Sequence, residues 1–402
     1  MKKNLYLTAL AAGLFFSPSA QAQDAPPATP GAEEPKGKFT FSGYLDTYYV
    51  GNFNRPASRS NLGAIGMDTA GITQVGGNAR AFDQRTGQFS LGLVQAKAVY
   101  STSKSEAVID LVFGPNADLG NYGNAIGPLG GTTALAIKQA YFTYKPTDKL
   151  SFTAGQFGTH IGYEVIDAPI NYHYSLSNLF NNGPFYHIGV KANYAFSDKV
   201  ALMAGIVNNV DQLNDNNRAK GLISQLYLQP KSGWNVYVNW IRSNEAAANN
   251  GRNVAGAYYT MLDLTTSWQI TEKTLLGLNA ATGTERAGKN LAKQQWGGVA
   301  AYANVAFTDV FSLGGRYEYF DNTSGVRGLR NGLGEGTHVT SYTVTGNFTL
   351  ADGHLLIKPE FRLDSYPKLN TGTEQHQKFE DSNGNFTKNA QSTMTLAFIY
   401  KF

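Results

Sequence analysis

Cysteine is absent from the 402 residues, which fits an exported protein that needs no disulfides. Charge is also scarce: Asp, Glu, Lys and Arg make up 15% of the chain, and they balance to a formal net charge of +4. So nearly neutral a chain has no electrostatic footprint for nucleic acid, and none is expected as a partner. Beyond the N-terminus there is no run of about 18 apolar residues, which excludes a helical membrane transporter. What the chain does have is 12% aromatic residues, 44 glycines and a mean hydropathy of -0.28, a balance that is neither disordered nor built from apolar helices.

At the start of the chain, Lys2 and Lys3 precede the apolar run from Leu5 to Phe16, and Ala20-Gln21-Ala22 supplies small residues for cleavage. Residues 1–22 therefore read as a secretory signal peptide, since the run is too short for a membrane anchor. Removing Lys2 and Lys3 lowers the formal charge from +4 to +2. Residues 23–38 carry Pro26, Pro27, Pro30 and Pro35 with Glu33 and Glu34 and show no periodicity. They read as an extended periplasmic leader, either a plain tether or a contact for peptidoglycan or a partner.

From Phe39 to the end the period is two. Phe39, Phe41, Leu45 and Tyr49 alternate with Thr40, Ser42, Asp46 and Tyr48. Comparable runs follow at 89–100, 107–113, 134–144, 150–157, 185–196, 200–208, 222–229, 234–242, 257–270, 274–282, 295–307, 310–320, 339–350, 354–364 and 391–402. The run at 134–144 can be phased either way. In the last run, Met394, Leu396, Phe398, Tyr400 and Phe402 share one side, while Thr393, Thr395 and Lys401 share the other.

The connections carry more information than any single strand. Short ones, rich in Asp, Lys, Gly and Pro, fall at 101–105, 145–149, 197–199, 230–233, 271–273, 308–309 and 351–353. They alternate with long ones at 51–86, 114–133, 158–184, 209–221, 243–256, 283–294, 321–338 and 365–389. A soluble sandwich has no reason to segregate its loops this way. A transmembrane antiparallel up-and-down β-barrel of about 16 strands does, with short periplasmic turns and long extracellular loops. An even count brings both ends to the periplasmic side. Phe152, Phe196, Trp234, Trp268, Phe307, Phe311 and Phe348, outward-phased beside short turns, are expected to form the periplasmic aromatic girdle. Pro359 is the misfit, because every strand of a closed barrel pairs on both sides.

About sixteen strands enclose a lumen too wide for side chains alone to fill, so function depends on what lines it. The inward phase places Asp46, Lys97, Asp110, Lys191, Asp263, Arg316, Glu318, Lys358, Glu360, Arg362 and Asp364 on that lining. Such mixed signs suit a weakly selective pore, with a transverse field where Arg316 and Glu318 neighbour Lys358, Glu360 and Arg362 on the next strand. The same charges could equally pair across strands and keep the wall soluble.

The third long loop, 158–184, is aromatic rather than merely polar, with Tyr163, Ile166, Ile170, Tyr172, Tyr174, Leu176, Leu179 and Phe180. So many large apolar groups are expected to pack against something: the inner wall, a surface cap, or a neighbouring barrel in a homo-oligomer. By analogy with general porins, whose third loop folds inward as a constriction, Glu164, Asp167, Tyr172, His173 and Tyr174 would form that constriction. Glu164 and Asp167 would then approach the basic wall residues.

The closing strand ends on an exposed-phase Phe402, which resembles the C-terminal signature of Gram-negative outer-membrane barrels, where that residue belongs to the signal read by the barrel assembly machinery. Ser42-Gly43-Tyr44-Leu45-Asp46 with Tyr48-Tyr49 and Asn52-Phe53-Asn54-Arg55-Pro56 resembles the opening of the β-barrel porin-2, or OmpL-like, family. Similar to it too are Gly155-Gln156-Phe157, Gly162-Tyr163-Glu164, Ala168-Pro169, Asn171, Tyr174-Ser175, Gly183-Pro184 and Gly189. The likeness spans the mature chain and is strongest over residues 40–210. It implies a barrel of the outer membrane, in contact with its lipid and named as a porin, and transfers no solute or catalytic residues.

Two motifs of soluble proteins are set aside. Gly283-Thr284-Glu285-Arg286-Ala287-Gly288-Lys289 has P-loop spacing, but Asn290 replaces the Ser/Thr and no strand-to-helix turn surrounds it. Asp381, Asn383 and Asn385 echo a calcium loop, yet Phe386 and Ser392 occupy the positions of its Gly and Glu. Six scattered histidines form no metal pattern, and His173 meets His187 only if the third loop folds onto the strand after it. No cofactor is implied. The leading expectation is an outer-membrane channel for passive diffusion of small hydrophilic solutes. A non-conducting surface barrel whose long loops bind a partner, and a barrel enzyme with Ser or Asp beside His at a strand rim, are the alternatives.

Overall fold

The computed structural model describes residues 37–120, 133–248, 252–370, 372 and 375–402. The expected signal peptide, the leader up to residue 36 and most of the second long loop lie outside them. Sixteen strands close into one antiparallel barrel. In chain order these are β1 (Lys38–Asn52), β4 (Gln88–Ser101), β5 (Ser105–Phe113), β6 (Ile137–Tyr144), β7 (Leu150–Gly158), β8 (Tyr186–Ser197), β9 (Val200–Val207), β10 (Gly221–Lys231), β11 (Trp234–Ser243), β12 (Tyr258–Gln269), β13 (Thr274–Arg286), β14 (Gln294–Ala306), β15 (Phe311–Asp321), β16 (His338–Leu350), β17 (Leu355–Ser365) and β18 (Ala390–Lys401). The remaining pair, β2 (Ala64–Met67) and β3 (Thr73–Val75), is a hairpin within the first long loop. Among the described residues no helix is long and apolar enough to cross a membrane.

Closure satisfies the backbone of the first and last strands, which a membrane would otherwise leave without partners. Tyr44 pairs with Lys401 and Asn52 with Thr393, and beyond the strand Gly43 and Phe402 exchange N–H to O bonds of 3.1 and 3.0 Å. The phase set by the closing strand holds: Met394, Leu396, Tyr400 and Phe402 are exposed, while Thr393, Thr395, Ala397 and Ile399 are buried. Around the periplasmic end, the rings of Trp234 and Trp268 stack at 5.5 Å and those of Phe311 and Phe348 lie 4.8 Å apart.

Three local expectations are corrected. The strand expected from residue 134 begins at Ile137, because Thr133–Ala136 coil into a 3-10 turn. The strand expected to stop at Thr282 continues to Arg286, where β12 still pairs with it, so the P-loop-like segment begins inside the wall. Arg316 and Glu318 on β15 do not adjoin Lys358, Glu360 and Arg362 on β17, since β16 stands between them. Pro359, the misfit, pairs with Leu396 on one side. On the other the ladder passes from Thr345–Glu360 to Phe348–Ile357, with Gly346 opposite the ring. The missing donor thus costs one local interruption and the barrel stays closed.

Candidate functional site

The long connection from β7 to β8 turns into the lumen and crosses it. At its start His160 Nε2 lies 3.1 Å from the carbonyl of Trp240 on β11, and the Gly162 N–H donates to Asp263 on β12 at 3.1 Å. The Tyr163 ring stacks on that of Tyr302 with centroids 4.4 Å apart. Gly277 on β13 makes room for it, because a Cβ there would sit 2.3 Å from the tyrosine hydroxyl. On the far side, the Tyr174 hydroxyl donates to Asp46 on β1 at 3.3 Å and its ring lies 5.1 Å from that of Tyr48. This loop therefore touches both sides of the barrel.

The loop is held by charge meeting backbone and charge meeting charge. Glu164 accepts from Arg316 at 2.5 Å and from the Ser177 N–H at 2.7 Å, so one carboxylate joins the wall to two points of the loop. Glu318 accepts from the N–H groups of Asn178 and Leu179 at 3.0 and 2.9 Å. These open the short helix α1 (Asn178–Asn182), whose remaining first-turn donor, Phe180 N–H, is taken by the Ser177 hydroxyl. Glu360 accepts from the N–H groups of Tyr174 and Ser175 at 2.7 and 3.0 Å. Lys358 donates to the carbonyls of Ala168, at 2.9 Å, and Asn171, and Arg362 donates to that of Leu176 at 2.7 Å. A loop buried this deeply must satisfy its own polar backbone, and the charged wall supplies the partners.

Between the two charged strands, β16 presents hydroxyls at the level of the loop: Ser341 donates to Asp364, Thr345 to Glu360, and Thr343 accepts from Arg316. His173 Nδ1 lies 2.7 Å from Thr345, and Tyr172 packs beside Gly314 on β15. His173 and His187 stay apart, the latter neighbouring His160 with ring centroids 5.8 Å apart. Burial pushes His160 down to about 4, so its ring is neutral at ordinary pH.

Asp46, Asp110, Asp263, Arg316, Glu318, Lys358, Glu360, Arg362 and Asp364 all point inward and all are buried. Lys97 and Lys191 are inward and half-buried, Lys97 opposite Asp110 in the ladder and Lys191 lying 4.4 Å over the ring of Phe157. Asp167 approaches a basic wall residue, as expected of it, but that residue is Lys138, 2.6 Å away. Asp167 also accepts from Gln95 and Tyr44. Lys138 escaped the sequence reading because its strand could be phased either way. Two other contributors lie in loops, where a charge is ordinarily solvated. Arg80, 1% exposed, bonds Asp83 and Asp364 at 2.9 and 3.0 Å, and Lys378 donates to the carbonyls of Ala64 and Arg330.

Sixteen closed strands, an apolar outer face, aromatics at the periplasmic end and a third loop folded into the lumen define a porin-like barrel. The model of the family described as "Putative beta-barrel porin-2, OmpL-like" matches residues 38–402, and the chain belongs to that family. It is a protein of the outer membrane. No curated protein matches the sequence significantly. Among solved structures it is similar to the outer-membrane channel DcaP of Acinetobacter baumannii, with 9% identity, a TM-score of 0.55, and coverage of 92% of this chain and 99% of that one. OmpT of Vibrio cholerae is alike at 13% identity and a TM-score of 0.54, covering 92% and 99% of the two chains. An anion-selective porin from Comamonas acidovorans follows at 10% identity and a TM-score of 0.54, covering 91% and 100%. At these identities the likeness establishes the fold.

Proposed function

We propose that the protein is a passive diffusion channel for small hydrophilic solutes, without enzymatic activity, and that the loop between β7 and β8 sets its constriction. The observation that carries this reading is the fixed seat of that loop in the lumen, pinned by Glu164–Arg316 on one side and Asp167–Lys138 on another. Arg316, Glu318, Lys358, Glu360 and Arg362 are taken up in holding the loop, so these five charges are not the groups that meet a passing solute. Below the loop, the inward side chains of Asn193, Gln229, Asn235, Tyr237, Asn304 and Asn347 are half-buried and uncharged. Such a lining favours neutral polar solutes and weak ion selectivity. Contacts with outer-membrane lipid, and delivery by the barrel assembly machinery, belong to the same reading.

Purified protein in a planar bilayer should give stepwise ohmic conductance with a reversal potential near zero in a salt gradient. Silent bilayers would overturn the channel reading. They would favour a surface barrel whose loops bind a partner, for which the interlocked outer loops speak: Lys378 ties the first, seventh and eighth loops together, and Asn181 of the third bonds Asn78 of the first at 3.0 Å.

A further inference from the structure

The outer face of the barrel carries a cationic feature that the lumen does not explain. Toward the extracellular ends of β11, β12 and β13, the outward phase that reads Val238 and Leu262 lower down changes to Arg242, Tyr258 and Arg286. The guanidinium carbons of Arg242 and Arg286 lie 4.9 and 5.0 Å from the centre of the Tyr258 ring. Arg286 is further fixed by donating from Nε to the Gly256 carbonyl at 2.7 Å. Lys289 follows, exposed, its N–H bonded to the Ala255 carbonyl at 2.9 Å beside Gly256. Arg286 and Lys289 are the cations of the segment whose spacing imitates a P-loop.

Nearby carboxylates are engaged elsewhere. Glu285, of opposite phase, pairs with Arg327 at 3.1 Å, Glu245 accepts from the Val210 N–H and the Ser243 hydroxyl, and Asp215 pairs with Lys220. Among the described residues no carboxylate pairs with Arg242, Arg286 or Lys289. On the lipid face of a barrel an arginine is strongly disfavoured at the midplane and tolerated near the interface. These cations therefore mark the level of the outer-leaflet headgroups, where an anionic partner would stabilise them.

We propose that Arg242, Arg286 and Lys289 form a clamp for the phosphate groups of a phosphorylated glycolipid of the outer leaflet. Phosphate suits the site because guanidinium groups bind it through paired N–H donors, and the intervening ring holds the two forks in place. A lipid suits it because exposed apolar side chains, Leu262 and Val238, lie directly below on the same face and offer a bed for acyl chains. This inference rests on the orientation of the barrel in its membrane and is independent of whether the lumen conducts.

The full-length protein, purified in detergent, is titrated with bisphosphorylated lipid A and bound lipid is counted by native mass spectrometry. The Arg242→Gln/Arg286→Gln double variant should bind roughly tenfold more weakly, from the loss of charge-assisted contacts, and dephosphorylated lipid A should bind the native protein equally weakly. Heat-modifiable gel mobility verifies that the variant barrel has closed, and the Arg242→Lys/Arg286→Lys variant, which keeps charge but loses the forks, should fall between the two. Equal binding by native protein and the Gln variant would overturn the proposal. So would displacement of lipid A by inorganic phosphate at equal concentration, which would make this a site for soluble anions.

Discussion

Arg316 and Glu164 stand 152 positions apart in the chain and 2.5 Å apart in the lumen. Neither spends its bonding on the other alone. Arg316 also donates to the Ser175 carbonyl and Thr343, and Glu164 accepts from the Ser177 N–H. The pair therefore fastens the crossing loop to the wall at Glu164 and Ser175, and Glu164 ties Ser177 to the same anchor. Removing one member of a buried pair typically costs about 3–5 kcal/mol, because the other charge is left uncompensated. In Glu164→Ala, amide exchange at Ser177 should accelerate by roughly two orders of magnitude while the barrel strands keep their protection. Unchanged exchange at Ser177 would show that the loop is held by its apolar packing instead.

Asp167 and Lys138 govern a different property. With Asp167→Asn, Lys138 retains Asp110 at 3.3 Å as its carboxylate partner, and the local balance becomes one charge more positive. The reversal potential across a KCl gradient should move toward anion preference, and Lys138→Gln should move it the other way. Coincident reversal potentials for all three proteins would separate this pair from the solute path.

The absence of cysteine makes a covalent test of the loop's position clean. A Cβ built at Gly314 would lie 3.3 Å from the Cβ of Tyr172, close to the distance a disulfide requires. Tyr172→Cys/Gly314→Cys should oxidise readily, as judged by thiol titration, and its conductance should equal that of its reduced form, because the loop is already seated there. A loop that swings out as a lid would instead lose closure events on oxidation.

Asp211, in the connection from β9 to β10, accepts from the N–H groups of Phe185 and Tyr186 at 2.6 and 2.9 Å. Burial raises its carboxyl to about 7, with Glu245 adding to the rise, while the two N–H donors and Arg327 oppose it. The folded state then binds more protons than the unfolded state between the ordinary carboxylate range and neutrality, so stability falls as pH rises through that window and levels off above about 7. Protection of the Phe185 and Tyr186 amides should be greater at pH 5 than at pH 8 in the native protein, and nearly pH-independent in Asp211→Asn. A flat native profile would contradict the assignment.

The wall was readable from the sequence because a barrel imposes a period of two and a phase that Phe402 shares with Met394 and Tyr400. The alternation of short and long connections gave the strand number for the same geometric reason. Loop three advertised its burial through Tyr163, Tyr174 and Leu179, which water would not accommodate without gain. Its partners were harder to read. Glu318 and Glu360 serve backbone N–H groups of the loop, and backbone donors leave no trace in composition. Lys138 sits where a 3-10 turn shifts the strand's start, and Arg80 and Lys378 come from loops folded back over the mouth. Pairing of that kind depends on tertiary packing over hundreds of residues, and local periodicity carries no record of it.

Single-channel conductance of the full chain beside a variant with residues 164–182 replaced by a short glycine-serine link tests most directly whether the crossing loop sets the constriction. The native protein should show small, steady steps, and the shortened one steps several times larger with weaker discrimination by solute size. Equal conductance in two verified closed barrels would contradict a constriction built by this loop.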